Sequence, residues 1–191
     1  MKKVISIIIA LLLLGCSREK DVQQTEQAIK ELMESYAKEH TRADDDIIAE
    51  YDEAQDEIDI TYKGKMMRVC YALRFKDLLT DNPQSYAERF LISMVLFDSR
   101  IKNVSDIEFK IEGISFKMNP YSVKPIGKYL SVGFTRSEES FCKTMDILSH
   151  PHGILDAWLN TNIGKIEIPL HDITNLQAMA LSYRLDGGTF E

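Results

Sequence analysis

Apolar residues in the first part of the chain recur at the three- and four-residue spacing of an amphipathic helix. The positions that share this stripe are Val22, Thr25, Ile29, Leu32, Met33, Tyr36 and Ala37. Such spacing predicts a helix with one apolar face. The pattern is then interrupted, and Asp44 suits the N-cap of a second helix carrying Ile47, Ile48 and Tyr51. We therefore expect a helical segment over residues 16–56.

Alternation of apolar and polar residues follows and predicts a β-hairpin. Ile58, Ile60 and Tyr62 alternate with polar residues, and Lys63-Gly64 suits a tight turn. The returning strand has an apolar face formed by Met67, Val69, Tyr71, Leu73 and Phe75. Its opposite face is formed by Met66, Arg68, Cys70, Ala72, Arg74 and Lys76. This basic face can neutralise the acidic residues that precede it in the chain.

Two central segments each allow two interpretations. Asp81-Asn82-Pro83 has the capping residue and the proline of a helix start. The apolar spacing after it predicts a buried helix, with a strand over residues 90–97 as the alternative. Residues 106–118 read as strand, but their apolar phase changes at Gly113. A bulge there keeps one strand, whereas a tight turn makes a hairpin.

The last third of the chain is predicted to mix short strands and helices. The expected elements are a strand over residues 129–134, a helix from Ser137, a short helix with Leu155, Trp158 and Leu159, and closing strands over residues 165–170 and 179–185. Between the closing strands, Asp172 suits the cap of a short helical turn. Gly187-Gly188 is expected to end the ordered fold.

Together these patterns predict an α+β fold. We expect an N-terminal helical segment, then an antiparallel sheet of five or six strands with helices packed on one face. The globular domain is expected over residues 57–186, with a C-terminal tail over residues 187–191. The length of the chain, 191 residues, suits one domain with a sizeable core.

The first twenty residues carry the pattern of an export signal. Lys2 and Lys3 precede an apolar run over residues 4–14, and a charged sequence begins soon after it. Eleven residues of helix rise about 16 Å, which is well short of the hydrocarbon thickness of about 30 Å that a spanning helix must cross. The stretch Leu13-Leu14-Gly15-Cys16 resembles the lipobox of bacterial lipoproteins.

This resemblance implies removal of residues 1–15, acylation of Cys16, and attachment of the mature protein to a membrane by lipid. Each buried CH₂ of an acyl chain contributes about 0.8 kcal/mol, so a terminus with several chains stays attached. Ser17 follows the cysteine. By resemblance to lipoproteins of Gram-negative bacteria, the absence of Asp there favours the outer membrane, facing the periplasm. The alternative is a buried N-terminal helix with an incidental cysteine.

Charge is distributed unevenly along the chain. The sequence has 23 Lys and Arg against 30 Asp and Glu, a net charge of −7. Nine acidic residues and no base lie between residues 44 and 59. No basic excess is present to neutralise phosphates, which argues against nucleic acid as a partner. A solvated helix face is one interpretation of the acidic stretch. The other is a docking surface for a basic partner, formed by Asp44, Asp45, Asp46, Glu50, Asp52 and Glu53.

Few residues suit covalent or metal chemistry. In an exported protein, Cys70 and Cys142 can form a disulfide or remain two buried thiols, and a bridge over this loop contributes about 4 kcal/mol. His150 and His152 form a His-x-His pair, a weak candidate for a metal site with Cys142 and His171. The sequence contains no familiar catalytic or nucleotide-binding motif, and we expect no cofactor.

These observations predict a lipid-anchored protein of the cell envelope whose domain binds another protein without catalysis. It would act as an assembly factor or as an inhibitor, with its partner in the same compartment. A lipoprotein that binds a small molecule or a metal is the second hypothesis. An envelope enzyme, whose site gathers residues distant in the sequence, is the third.

Overall fold

Residues 18–74, 89–150 and 155–190 are described in the computed structural model of this chain. The helices there are α1 (Arg18–His40), α2 (Glu139–Leu148) and α3 (Leu170–Leu185). The strands are β1 (Ile47–Asp52), β2 (Glu57–Lys63), β3 (Met67–Arg74), β4 (Phe90–Leu96), β5 (Val104–Ile111), β6 (Ile114–Met118), β7 (Ser122–Ile126), β8 (Tyr129–Thr135), β9 (Leu155–Thr161) and β10 (Gly164–Glu167). One turn of 3-10 helix, Ala43–Asp45, lies between α1 and β1. The proposed lipidation site Cys16 and the helix start predicted at Asp81-Asn82-Pro83 lie outside these ranges.

The strands form two antiparallel sheets. Sheet A has six strands in the order β1-β2-β3-β4-β8-β7, and sheet B has four in the order β10-β9-β5-β6. Neighbouring strands run antiparallel in both. The predicted α+β class is therefore confirmed. The sequence predicted one antiparallel sheet of five or six strands, whereas the structure has two, and sheet B was not predicted.

The core lies on one face of sheet A, because buried side chains alternate along its strands and remain in register across them. Ile60 lies opposite Ala49 on β1 and opposite Tyr71 on β3. Tyr71 in turn lies opposite Phe90 on β4, and all four side chains are buried. We call this the inner face and the opposite one the outer face.

The helices pack on the inner face, as predicted. Helix α1 contacts β1 and β2 and buries Met33. The Phe141 ring of α2 and the Tyr183 ring of α3 lie 6.3 and 5.3 Å from the Phe90 ring. Because α3 contacts β2 and β3 as well as β9, this helix joins sheet A to sheet B.

The change of phase at Gly113 is a hairpin turn rather than a bulge. Ile111 pairs with Ile114, so Glu112 and Gly113 alone connect β5 to β6. Both residues have positive φ, 49° and 84°, as a two-residue type I′ turn requires. The turn alternative is therefore confirmed, and it returns Phe116 beside Phe109.

Two segments predicted as helices are strands. Residues 47–52 form β1 instead of a helix after Asp44, because Ile47 and Ala49 alternate and pair with Tyr62 and Ile60 on the inner face. Residues 155–161 form β9, in which Leu155, Ala157 and Leu159 alternate and are buried. Both segments contain apolar residues that satisfy the three-to-four and the two-residue period at once.

Some of the remaining predictions are correct and others are wrong. The strand alternative for residues 90–97 is correct, since these residues contain β4. The closing strand predicted over residues 165–170 is present in part as β10, whereas the one predicted over residues 179–185 is the second half of α3. Strand β7 was not predicted.

The C-terminal residues return to the core. Phe190 is buried, and its ring lies 5.4 Å from the Phe90 ring and 5.1 Å from the Tyr183 ring. Gly187 follows α3 with a φ of 95°, a left-handed conformation that suits glycine after a helix. Gly187-Gly188 thus turns the chain back instead of ending the ordered fold.

Candidate protein-interaction surface

The outer face of sheet A carries a cluster of exposed apolar side chains. We call it the aromatic patch, and its members are Val95, Phe97, Tyr121, Ile126 and Tyr129. Between 39% and 64% of the surface is exposed for every member except Tyr129, which is half-buried. Leu91, 42% exposed, extends the apolar surface along the same face of β4.

Antiparallel register assembles the patch from segments that are distant in sequence. Ile126 pairs with Tyr129 across the turn between β7 and β8. The Phe97 ring, just after β4, lies 5.0 Å from the Tyr129 ring in an edge-to-face arrangement. Tyr121 lies against Gly133, where a Cβ atom would come within 2.9 Å of its ring. Glycine at position 133 therefore allows Tyr121 to lie on the strand.

Positive charge borders the aromatic patch. Lys124 is exposed on β7, and the Lys128 Nζ lies 5.2 Å from the centre of the Tyr129 ring. No acidic residue occurs between residues 113 and 137, the part of the chain that contains β7 and β8. Asp98, next to Phe97, is paired with Arg100 at 2.6 Å, and hydrogen bonds from Arg100 lower the pKa of Asp98 to about 2. The border of the patch is thus net positive.

An exposed cluster of this composition is typical of a binding surface. Single exposed apolar residues are normal in monomeric proteins, but contiguous apolar patches mark sites of interaction. Tyr and Phe are also enriched at protein interfaces, where large rings supply apolar area and a hydroxyl group. The sequence gives little sign of this patch, because its members belong to three strands and to the segments next to them.

The predicted acidic residues do not form one surface. Asp46 and Asp52 lie at opposite ends of β1, and at about 3.4 Å per residue these ends are about 20 Å apart. Lys30 of α1 pairs with Glu53 at 2.9 Å. The Asp52 carboxylate accepts a hydrogen bond from the backbone N–H of Ala54 at 2.9 Å. Asp44 and Asp45 form the exposed 3-10 turn before β1.

A smaller acidic cluster remains on the outer face at β1 and β2. Glu50 lies directly opposite Asp59, and burial, followed by the charge of Asp52, raises the pKa of Asp59. Basic residues stand beside the cluster, since Arg89 pairs with the buried Glu57 at 3.2 Å. The acidic residues are therefore partly neutralised by the chain itself.

The sequence allowed either a disulfide between Cys70 and Cys142 or two separate thiols, and in this structure both thiols are free. Cys70 alternates with the buried Val69 and Tyr71 and so lies on the outer face of sheet A. Cys142 belongs to α2, which packs on the inner face through Phe141. Because the sheet separates them, the two cysteines cannot approach to disulfide distance without moving the backbone.

Two of the candidate metal ligands, His150 and His171, contact other residues. The His150 Nε2 lies 3.1 Å from the Arg184 guanidinium, which also pairs with Asp146 at 2.6 Å. His171 packs edge-on against Tyr62 with ring centres 6.0 Å apart, and His152 lies outside the described residues. Over the described part of the chain, no three His, Cys, Asp or Glu side chains are grouped to hold a metal ion.

Two further observations, on membrane-crossing helices and on similar known proteins, add no indication of function. Among the residues with described structure, no helix has the length and apolar character needed to cross a bilayer. Comparisons of the chain with protein-family models, with curated proteins and with solved structures find no match. Function is therefore inferred from the residues of this chain alone.

Proposed function

We propose that this protein is a lipid-anchored protein of the bacterial cell envelope that binds another protein and catalyses no reaction. The lipobox-like stretch ending at Cys16 supports the anchor. The aromatic patch supports protein binding and is the observation that carries this proposal. The roles of assembly factor and of inhibitor both fit a surface of this kind.

The partner is a protein with an apolar surface bordered by acidic residues. Its apolar part covers Phe97 and the neighbouring rings, which supply the large buried contacts that dominate interface energies. Its acidic border faces Lys124 and Lys128, since complementary charge directs encounter and fixes orientation. This choice replaces the predicted acidic surface, because Glu53 and Asp52 are already engaged within the chain.

Site-specific photo-crosslinking in cells tests this proposal. A photoreactive amino acid placed at Phe97 or at Tyr129 should crosslink one discrete envelope protein. The matched control position is Leu185, an exposed apolar residue of α3 that is 78% exposed. The same protein should not crosslink from Leu185.

Charge reversal then separates a specific interface from adventitious contact. The double variant Lys124→Glu, Lys128→Glu should reduce crosslinking from Phe97 at least tenfold. The control Lys38→Glu, Lys110→Glu changes the net charge equally at exposed positions outside the patch and should leave the yield unchanged. Equal crosslinking from Leu185, crosslinking of lipid alone, or a yield that both double variants leave unaltered would contradict the proposal.

A further inference from the structure

Helix α3 is apolar along two opposite sides. Its inner side packs against β2, β3, β9 and α2. The residues buried there are Asp172, Ile173, Leu176, Met179, Ala180 and Tyr183. On its outer side, Leu170, Leu181 and Leu185 are 66%, 39% and 78% exposed. A surface helix normally has one apolar and one polar face, and a helix that is apolar all round is normally buried. Within the described part of the chain, nothing buries these outer leucines.

The outer residues of α3 form one narrow stripe, which we call the leucine stripe. Its members are Leu170, Thr174, Ala178, Leu181 and Leu185, and all five are exposed. At about 100° of rotation per residue they fall within an arc of about 80°, opposite the arc of buried residues. The Thr174 hydroxyl donates to the Leu170 carbonyl at 2.5 Å. The stripe thus contains no charge, and the donor of its one hydroxyl is already bonded within the helix.

Charge favours a second copy of this chain as the occupant of the leucine stripe. With a net charge of −7, two copies repel each other at long range. The charged residues of α3 do not lie on the stripe, since Asp172 is buried and Arg184 is paired with Asp146 at 2.6 Å. Two copies can therefore approach along their stripes without opposing like charges, whereas a charged partner finds no complementary charge there.

The order of side chains along the leucine stripe also suits pairing with an identical stripe. When two copies of α3 run antiparallel about a two-fold axis near Ala178, Leu170 lies opposite the partner's Leu185. Thr174 then lies opposite the partner's Leu181, and the smallest member, Ala178, is at the centre, where small side chains allow close approach. Antiparallel pairing also brings opposite ends of the helix dipoles together. Such pairing of one patch with itself is the usual arrangement of homodimers.

We infer that two copies of this chain associate through the leucine stripes of their α3 helices, packed antiparallel about a two-fold axis near Ala178. The 16 residues of α3 span about 24 Å, and a helix is about 10 Å wide. The facing surfaces are therefore smaller than the roughly 800 Å² per partner of a standard interface, and the dimer is weak. This contact does not involve the aromatic patch, so either surface can fail without the other.

Disulfide trapping in cells tests this inference, because a covalent bond retains a weak contact. The full-length chain carries Ala178→Cys together with Cys70→Ser and Cys142→Ser, and the cells are treated with the thiol oxidant diamide. A product at twice the mass of the chain should appear on a non-reducing gel. The matched control is Glu34→Cys in the same background, at an exposed position of helix α1. It should give at least tenfold less of this product.

Two end positions of the leucine stripe test the antiparallel arrangement. Leu170→Cys and Leu185→Cys in the same background should each trap little dimer alone, because each residue lies about 22 Å along the helix from its own counterpart. When the two variants are produced together with different epitope tags, the mixed dimer should exceed either single product at least fivefold. Equal yields from the single variants would contradict antiparallel packing.

A charge placed at the end of the leucine stripe tests its apolar character. Leu185→Glu, combined with Ala178→Cys, should reduce trapping at least fivefold, since it brings an unpaired carboxylate into the apolar contact. Leu185→Met keeps an apolar side chain of similar volume and should change trapping less than twofold. Both are good helix formers at an exposed position, and circular dichroism establishes that each variant is folded.

Three further results would overturn the inference. The first is an equal dimer yield from Ala178→Cys and Glu34→Cys, and the second is undiminished trapping by folded Leu185→Glu. In the third, a photoreactive amino acid at Leu181 crosslinks another protein or lipid and gives no product at twice the mass of the chain. If Leu185→Glu does not fold, the comparison of Ala178→Cys with Glu34→Cys decides.

Discussion

Asp172 shows how one buried carboxylate joins two parts of the chain that are far apart in sequence. It lies in the first turn of α3 and is fully buried. Its oxygens accept hydrogen bonds from the backbone N–H groups of Lys65, Met66 and Met67 at 3.3, 2.8 and 3.3 Å. The Tyr62 hydroxyl donates to it at 3.0 Å. The residue predicted to cap a helical turn thus holds the β2–β3 loop against the helix.

Removal of this carboxylate should be costly for stability. Asp172→Ala leaves several donors without an acceptor inside the protein, and we expect a loss of about 3 kcal/mol in the free energy of unfolding. Urea denaturation followed by circular dichroism measures it. Asp156→Ala, at an exposed position of β9, is the control and should cost less than about 0.5 kcal/mol. Similar losses for the two variants would refute the structural role of Asp172.

Asp186 should make stability depend on pH in a specific direction. Burial raises its pKa, although the hydrogen bond from Tyr71, at 3.1 Å, and the charge of His40 oppose this shift. A carboxyl group with a raised pKa in the folded state contributes stability that is complete below its unfolded pKa and is lost as pH rises through its folded pKa.

We expect Asp186→Asn to gain stability relative to the unaltered protein between about pH 4 and pH 7. The reason is that the amide cannot ionise, while its oxygen still accepts the Tyr71 hydrogen bond. Urea denaturation at several pH values measures the difference between the two proteins. A difference between the two proteins that stays constant over this pH range would contradict the expectation.

At the scale of elements, the β5–β6 hairpin depends on two residues with positive φ. A side chain at Gly113 would meet no atom within 4 Å, so the effect of Gly113→Ala is confined to the backbone. We expect this change to lower the free energy of unfolding by about 1 kcal/mol. Glu112→Asn should raise it by up to about 0.5 kcal/mol, since Asn tolerates a left-handed conformation better than Glu.

Chemical denaturation of both hairpin variants tests whether Gly113→Ala lowers the free energy of unfolding and Glu112→Asn raises it. Gly127→Ala provides a control with the same physics, because Gly127 also has a positive φ, 60°, and open space around it. It should lose a similar amount of stability. A neutral Gly113→Ala, together with a destabilised Gly127→Ala, would indicate that the β5–β6 turn is not under this backbone constraint.

The sequence predicted elements well where one period dominated. The alternation in β2 and β3 and the helical spacing of α1 and α2 gave the correct element types. Prediction failed where apolar residues fitted two periods, as in β1 and β9, and pairing with a neighbouring strand then decided the structure. The second half of helix α3 was missed because Leu181 and Leu185 lie on its exposed face, so the sequence shows no clear division into an apolar and a polar stripe.

At the scale of the whole molecule, the aromatic patch could not be predicted from the sequence. The aromatic patch exists because β4 pairs with β8, which itself pairs with β7, and no local pattern specifies that order of strands. The acidic stretch shows the converse. Its charged residues are contiguous in the sequence, but in the structure they are spread along the length of β1. Contiguity in the chain is therefore a poor guide to a surface on a sheet.

The proposed lipid anchor predicts a clear effect of one substitution. Cys16→Ser should abolish incorporation of radiolabelled palmitate and release the protein from the membrane fraction, because acyl chains provide the attachment. Cys70→Ser and Cys142→Ser serve as controls and should incorporate palmitate normally. Label retained by Cys16→Ser, or its absence from all forms of the protein, would exclude the anchor.

Helix α1 has a geometric consequence for such an anchored protein. It begins at Arg18, close to Cys16, and runs as one helix to the region where Met33 is buried. Each residue of a helix adds about 1.5 Å of length and about 100° of rotation. In an anchored protein, the number of helical residues between Cys16 and the domain therefore sets the direction in which the aromatic patch faces along the bilayer. One inserted residue would swing the patch by more than a quarter of a revolution, whereas about seven would nearly restore its bearing.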